Sequence, residues 1–464
     1  MANVDMFLLG AVAGYMLLQL GIAVYASRFI NSETDYLLAG RQLGLLLTTF
    51  SIFATWFGAE TVVASSGAVA AEGLAGGRAE PFGYALCLLL FAVLIAYRMR
   101  AQEYMTTSDF YRARFGRIAE KASVMLVIPT SLIWAAAQIV AFAHILSAVS
   151  GLDFSAALML GTTIVVIYTT IGGFLGDVIT DLVQGVFVIF GLLITAVFVV
   201  INMGGIEAAL ATLTPERLNI FSPDSSLGTQ FDEWTIAVVG SLVSQEAISR
   251  ILAARSPSVA RRSCYSAAAM YFLFGLIPAF IGLAGASLMP LPADPDSFLP
   301  VLAKNILPVY IYVMFLGALI SAILSTIDST LLSVGALTGH NLIAPLIPGM
   351  NEEDKVRLQR LLVALAGFLA YVIATAGESI YALIEASSSF GSSGLLVCLI
   401  FGLWTRLGSF TAALVTMATG VVSSYLFQYV YAWDSGYLAS LALCIIVYGI
   451  IAFLERARQQ PSTA

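Results

Sequence analysis

Residues 324 to 333 read LSTIDSTLLS, and the hydroxyls of Thr326, Ser329, Thr330 and Ser333 recur at i, i+3, i+4 and i+7. That spacing puts all four on one face of a helix, as a row of neutral oxygen ligands would be. Hydroxyls suit a hard monovalent cation, and because they can bond their own backbone carbonyls they are tolerable in an apolar setting when the ion is absent. Serines and threonines also join helices, a role that would account for one or two of them; four on one stripe favour binding. Ser325 and Asp328 fall off that face. Asp328 reads as a structural partner for a neighbouring helix or a gate, its own partner unspecified by the sequence.

Two other polar groups interrupt apolar stretches. LLLTTFSIFATWFGAETVVASSGAVAAEG (45–73) carries Gly58, Gly67 and Gly73 and holds Trp56 and Glu60 among small residues. Such a helix can unwind locally and offer carbonyls to a cation, or can simply kink and pack closely. GGFLGDVITDLVQ (172–184) places Asp177 in the first turns after a Gly-Gly pair, where a carboxylate favours the helix dipole. Asp181, one turn deeper beside Thr180 and Gln184, could draw a cation towards an exit.

Other chemistries are excluded. There is no GxxxxGK[ST] and no Gly-Lys pair, which removes a P-loop ATPase. No HExxH or Cys/His cluster suggests a metal enzyme. His144 and His340 stand far apart and read as helix-packing or helix-end residues, and Cys87, Cys264, Cys398 and Cys444 read as small core residues. No enzyme activity is expected.

The elements that must position these residues are membrane helices. Of 464 residues 59% are hydrophobic and 11% charged, against roughly 25% charged in soluble domains. Apolar runs of about 20 residues, enough to cross a bilayer, give thirteen spans near 6–29, 44–73, 79–99, 122–149, 155–173, 175–203, 234–254, 264–289, 307–343, 358–377, 379–403, 408–430 and 434–454. The fold class is all-α, with the lipid bilayer as a partner and nucleic acid excluded.

Charge orients the spans, since Lys and Arg gather on the cytoplasmic side. With the N-terminus outside and the C-terminus cytoplasmic, 18 of the 21 basic residues fall inside. They include six from Arg98 to Lys121 and the loop set Arg250, Arg255, Arg261 and Arg262. Only Arg78, Arg217 and Lys304 remain outside. The loop near 204–233 reads as a cap over an entrance. YMTTSDFYRARFG (104–116) reads as a helix lying at the lipid surface.

With these segments in view, the chain resembles the sodium:solute symporter family, whose members include proline, sugar, sialic acid and choline symporters. The resemblance rests on the thirteen spans, YLLAGRQLG (36–44), TTSDFYRARFG, the GG…TDLVQ run and LSTIDSTLLS. It implies a LeuT-like core of two five-helix inverted repeats, 44–203 and 234–403, with peripheral helices at 6–29 and 408–454. It also implies a plasma-membrane location and a single transporter domain.

The resemblance further implies one sodium held by the carbonyls of Ala54, Phe57 and Thr326 and the hydroxyls of Ser329 and Thr330, with Asp181 nearby. The proline branch has an aspartate at the position of Trp56. Trp56, Tyr84 and Trp134 are similar to aromatic positions of the choline branch, which surround a quaternary ammonium. That branch has another aromatic where this chain has Ser244 or Gln245. Glu80 resembles a polar contact of the sugar branch, and Glu60 could pair with a cationic group.

The expectation is a sodium-coupled symporter importing a small polar organic solute, with sodium as coupling ion and no organic cofactor. Proton coupling through Asp181, Glu60 or Asp328 is the alternative, and a substrate sensor or a channel ranks below both.

Overall fold

The computed structural model describes residues 6–376, 387, 389 and 391–459. Every named element among them is helical, and the one β feature is an isolated bridge between Leu43 and Ala254. With no water in the hydrocarbon to satisfy backbone groups, a spanning chain closes its hydrogen bonds within helices. Nine helices among the described residues are long and apolar enough to cross a membrane, or eleven if each of two bent pairs is one span.

The helix Phe154–Asn202 has 49 residues, a length of roughly 74 Å at 1.5 Å per residue, over twice the bilayer core. Gly173, at φ 55° and ψ −161°, is its one non-helical residue. It lies in the Gly-Gly pair expected to separate two spans. A Cβ there would stand 2.9 Å from the Tyr36 ring, so both the backbone angle and the space require glycine. The predicted eleventh span, 379–403, falls partly outside the described residues; its remainder is the helix Ser392–Trp404.

Val309–Ala336, which carries the hydroxyl stripe, packs on Phe154–Asn202 and Arg117–Ser150, and Met6–Ser27 lies against Phe154–Asn202. From Phe315 to Ala336 all but one residue are buried, so the polar groups of this helix must find partners inside the protein.

The expectation of a lipid-surface helix at 104–116 is corrected. Thr107–Phe115 opens with a capping box between Thr106 and Asp109, and Thr107, Ser108, Asp109, Phe110, Tyr111 and Phe115 are buried. The Tyr111 hydroxyl donates to the Leu395 carbonyl at 2.9 Å. The basic side chains that made the segment look interfacial sit on its outer face, while its apolar face packs on Arg117–Ser150.

Asp109 belongs to a cluster that joins four segments. His340 lies 3.3 Å from both Asp109 and Glu33, and Asn341 donates to Asp109 and Glu120 at 3.0 and 2.8 Å. Burial raises the pKa of both Glu33 and Asp109, but hydrogen bonding and charge from His340 outweigh it and leave each below its ordinary value. Groups depressed in the folded state contribute stability above their unfolded pKa, about 4, and lose it as pH falls through their folded values. The melting temperature in detergent should therefore fall steeply below about pH 4, and His340→Gln should flatten that limb. A limb of equal steepness in the variant would remove the cluster from the account.

Candidate functional site

Two helices break where they face each other. Leu45–Trp56 ends at Phe57, whose φ −83° and ψ 59° leave the helix, and the chain resumes from Glu60 at an angle of 62°. The second span thus unwinds where its small residues suggested. Leu227–Val243 and Gln245–Ala253 are bent by 46° at Ser244, with ψ 128°. This second break was not anticipated; Gly240, Ser241 and Ser244 in succession are the signal that could have shown it.

At the first break the hydroxyl helix comes into contact with freed backbone. The Ser325 hydroxyl donates to the Ala54 carbonyl at 2.7 Å and Thr326 to the Thr55 carbonyl at 2.9 Å. The Tyr271 and Thr61 hydroxyls lie 3.2 and 3.3 Å from the Trp56 carbonyl, and the Ala59 N–H donates to Gln138 at 3.2 Å. Gly58 permits the approach, since a Cβ there would lie 2.8 Å from the Thr326 hydroxyl. Ser325, read as off the binding face, therefore meets the broken helix as closely as Thr326 does.

Ser329 donates to the Ser325 carbonyl and Thr330 to the Thr326 carbonyl, each at 2.6 Å. Bonds of this kind, to carbonyls of its own helix, let a hydroxyl stay buried in an apolar setting. Ala54, Thr326, Ser329 and Thr330 are brought to one junction. Phe57 is buried beside it, its ring 4.7 Å from that of Phe53 and 5.4 Å from Tyr271.

Arg250 changes the electrostatics of this junction. Assigned by its sequence to a cytoplasmic loop, it is fully buried in Gln245–Ala253. Its guanidinium reaches Asp177 at 2.5 Å and Asp181 at 3.3 Å, and donates to Ser329. Asp181 also accepts from Ser51 at 2.5 Å. Asp177 is thus the nearer of the two carboxyl partners of a buried cation as well as a helix-start residue. All three contacts are made by Nη2, and the single guanidinium charge offsets part of the cost of enclosing two carboxyl groups beside it.

Asp328 finds its partner on another helix: the Thr169 hydroxyl donates to it at 2.7 Å. The structural part of its reading is met, with its carboxylate turned away from the stripe.

The residues considered for solute binding divide between two cavities. One is lined by Thr55, Trp56, Trp134, Glu246, Thr326 and Thr330, with Ser131, Ser241 and Ser244 among its other walls. The second is lined by Glu60, Glu80 and Tyr84 together with Arg78 and Glu233. Trp56 and Tyr84 meet edge to face, ring centres 5.9 Å apart, between the two. Glu80 accepts from Tyr271 at 2.8 Å and from Thr61 at 3.1 Å, and Glu60 accepts from Tyr84 at 3.1 Å.

Gln245 is corrected as a solute contact. It is fully buried, accepts from the Thr107 N–H and donates to Ser249, both at 2.8 Å, and does not line either cavity. The break at Ser244 rotates Gln245 towards Thr107–Phe115 and turns Ser244 and Glu246 into the chamber instead.

A junction of freed carbonyls and hydroxyls beside a lined chamber can hold a small cation next to a solute. The sodium:solute symporter family model matches residues 36–420. The chain is 25% identical to a high-affinity choline transporter of Caenorhabditis elegans over 411 residues, 82% of this chain and 70% of that protein. It spans 62% of the Drosophila melanogaster counterpart. It is 26% identical to a sodium/proline symporter of Haemophilus influenzae over 471 residues, 93% of this chain and 92% of that one. A solved Na+-coupled sialic acid symporter superposes with TM-score 0.85 at 18% identity, covering 97% of this chain and 98% of the other. At that identity the likeness carries the fold, which is LeuT-like.

Proposed function

Because the chain belongs to the sodium:solute symporter family, we propose that it couples inward sodium flow to the uptake of a small polar organic solute by alternating access. It is a multi-pass membrane transporter and not an enzyme. The observation that carries the coupling is the meeting of Thr326 and Ser325 with the carbonyls of Thr55 and Ala54 at the broken helix, with Ser329 and Thr330 in the same row. Sodium at this junction would take the Ala54, Phe57 and Thr326 carbonyls and the Ser329 and Thr330 hydroxyls, with Asp181 acting through its neighbours.

The solute lies in the chamber that Trp56, Trp134, Thr326 and Thr330 line. Sharing Thr326 and Thr330 with the ion site lets sodium binding shape the chamber, which is how one gradient drives another. The two tryptophans and the acidic groups there and in the adjoining cavity suit a small organic cation, choline-like or another, or a zwitterion. Glu60, Glu80 and Tyr84 line the approach. The repeats run 44–203 and 234–403 in a plasma membrane, the N-terminus outside and the C-terminus cytoplasmic.

Purified protein in liposomes should accumulate labelled choline or a related solute when sodium is high outside. Collapse of the sodium gradient with a pH gradient maintained should abolish accumulation. Uptake that follows the pH gradient at zero sodium would defeat the coupling.

A further inference from the structure

One carboxylate in the chamber has no role in the sodium junction. Glu246 is the second residue of Gln245–Ala253, and the break at Ser244 directs it into the cavity beside Trp56 and Trp134. Its residue is 9% exposed, and a side-chain oxygen accepts from the Ser131 hydroxyl at 2.7 Å. A buried carboxylate calls for a cation. Arg250, one turn further along the helix, does not pair with it: Nη2 goes to Asp177, Asp181 and Ser329, while Nη1 donates to the backbone carbonyl of Glu246 at 3.3 Å. None of the described residues lining the chamber is basic.

The walls around this carboxylate are hydroxyl-rich rather than a closed aromatic cage. Ser131, Thr130, Ser241 and Ser244 line it with the two tryptophans, and Tyr84 stands behind Trp56 in the adjoining cavity. A quaternary ammonium is held by aromatic faces and offers a carboxylate no hydrogen bond. A protonated amine with an N–H can give Glu246 a short charge-assisted bond and use the surrounding hydroxyls as well. A solute carboxylate would find no basic side chain among the described lining residues.

We propose that Glu246 is the anionic anchor of the solute site, and that the solute is a protonated amine bearing at least one N–H and no carboxylate. This rests on the reading of the chamber as the solute site and narrows its substrate class.

The test is a methylation series measured on the full-length protein in detergent by tryptophan fluorescence, with ethanolamine, N-methylethanolamine, N,N-dimethylethanolamine and choline as probes. Each is titrated in sodium chloride and in potassium chloride at equal concentration. The charge and the hydroxyl persist through the series, and only the last methyl removes the final N–H. Affinity should fall by about tenfold or more at that last step, the scale of one charge-assisted hydrogen bond, and proline should bind more weakly than ethanolamine. Glu246→Gln should weaken the three N–H amines by a similar factor and choline by less, flattening the series.

Choline or proline binding as tightly as N,N-dimethylethanolamine to the unsubstituted protein would overturn the proposal, whether or not the variant folds. So would an unchanged series in a folded Glu246→Gln protein. The sodium reading is scored separately. The expected step with equal affinities in the two salts keeps the anchor and removes sodium coupling, whereas sodium-dependent binding of choline without the step keeps coupling and removes the anchor.

Discussion

Ser329→Ala combined with Thr330→Ala removes the sodium response of uptake while leaving the protein folded. The two hydroxyls are bound to carbonyls of their own helix, Ser325 and Thr326, and those carbonyls belong to the helical hydrogen-bond ladder in any case. Their loss therefore costs little in the ion-free protein. For an ion at the proposed junction the loss would be direct, because each oxygen would contact a charge. At about 1.5–3 kcal/mol per contact to a charged group, the pair accounts for a fall in sodium affinity of more than about 100-fold. The measurement is uptake into proteoliposomes against external sodium, with thermal unfolding as a control for folding. Sodium-driven uptake with an unchanged half-saturation would end the assignment of the junction.

Arg250→Ala should be the most destabilising single substitution in the buried polar core. Asp177 and Asp181 are both fully enclosed, and the guanidinium is the basic group that reaches them. Removing one partner from a buried ion cluster leaves uncompensated charge, at about 3–5 kcal/mol. Replacing the acids as well, in Arg250→Ala with Asp177→Asn and Asp181→Asn, should recover much of that loss, because neutral side chains have little to lose by burial. Arg250→Lys should fall between, since an ammonium keeps the positive charge but loses the Nη1 bond to the Glu246 carbonyl and the planar guanidinium packed over the Phe174 ring. Thermal unfolding in detergent reads all three. A melting temperature for Arg250→Ala within about a degree of the unsubstituted protein would show that these charges are solvated by other means.

The two experiments are linked at Ser329, which Arg250 contacts. If Ser329→Ala lowered stability as far as Arg250→Ala does, the hydroxyl would belong to the ion cluster more than to the sodium row. The expectation is a small change, because the two carboxylates still hold the guanidinium when one hydroxyl is gone.

Much of the fold was legible because its signals are local. A run of about 20 apolar residues must cross a bilayer as a helix, and the Gly172–Gly173 pair marked where one span ends and the next begins. An unwinding or a kink near Trp56 was readable from its glycines, and the hydroxyl row from a period along one helix. Where a local signal had two solutions, the sequence could mislead. TTSDFYRARFG has the basic residues of an interfacial helix, yet Asp109 pairs with His340 from a helix more than 200 residues away, and the segment is buried.

The charge pattern sorted Arg250 with its loop neighbours because it stands only a few residues from Arg255. Nothing in that stretch records that Asp177 and Asp181 lie opposite it. In the same way Gln245 and Glu246 are adjacent, and only the bend at Ser244 decides which faces the chamber. The solute residues were read as one set, but the fold divides them, with Glu60, Glu80 and Tyr84 behind the Trp56 ring and Trp134 in front.

By itself, then, the sequence determined the helical membrane fold and the row of oxygens, which follow from the geometry and solvation of single segments, and it left two solutions, unwinding or a kink, for the helix near Trp56. Tertiary structure alone decided which charges neutralise one another, which carboxylate enters the chamber and where Asp328 finds its hydroxyl. Those depend on contacts between residues far apart in the chain, whose energies exist only once the helices have packed.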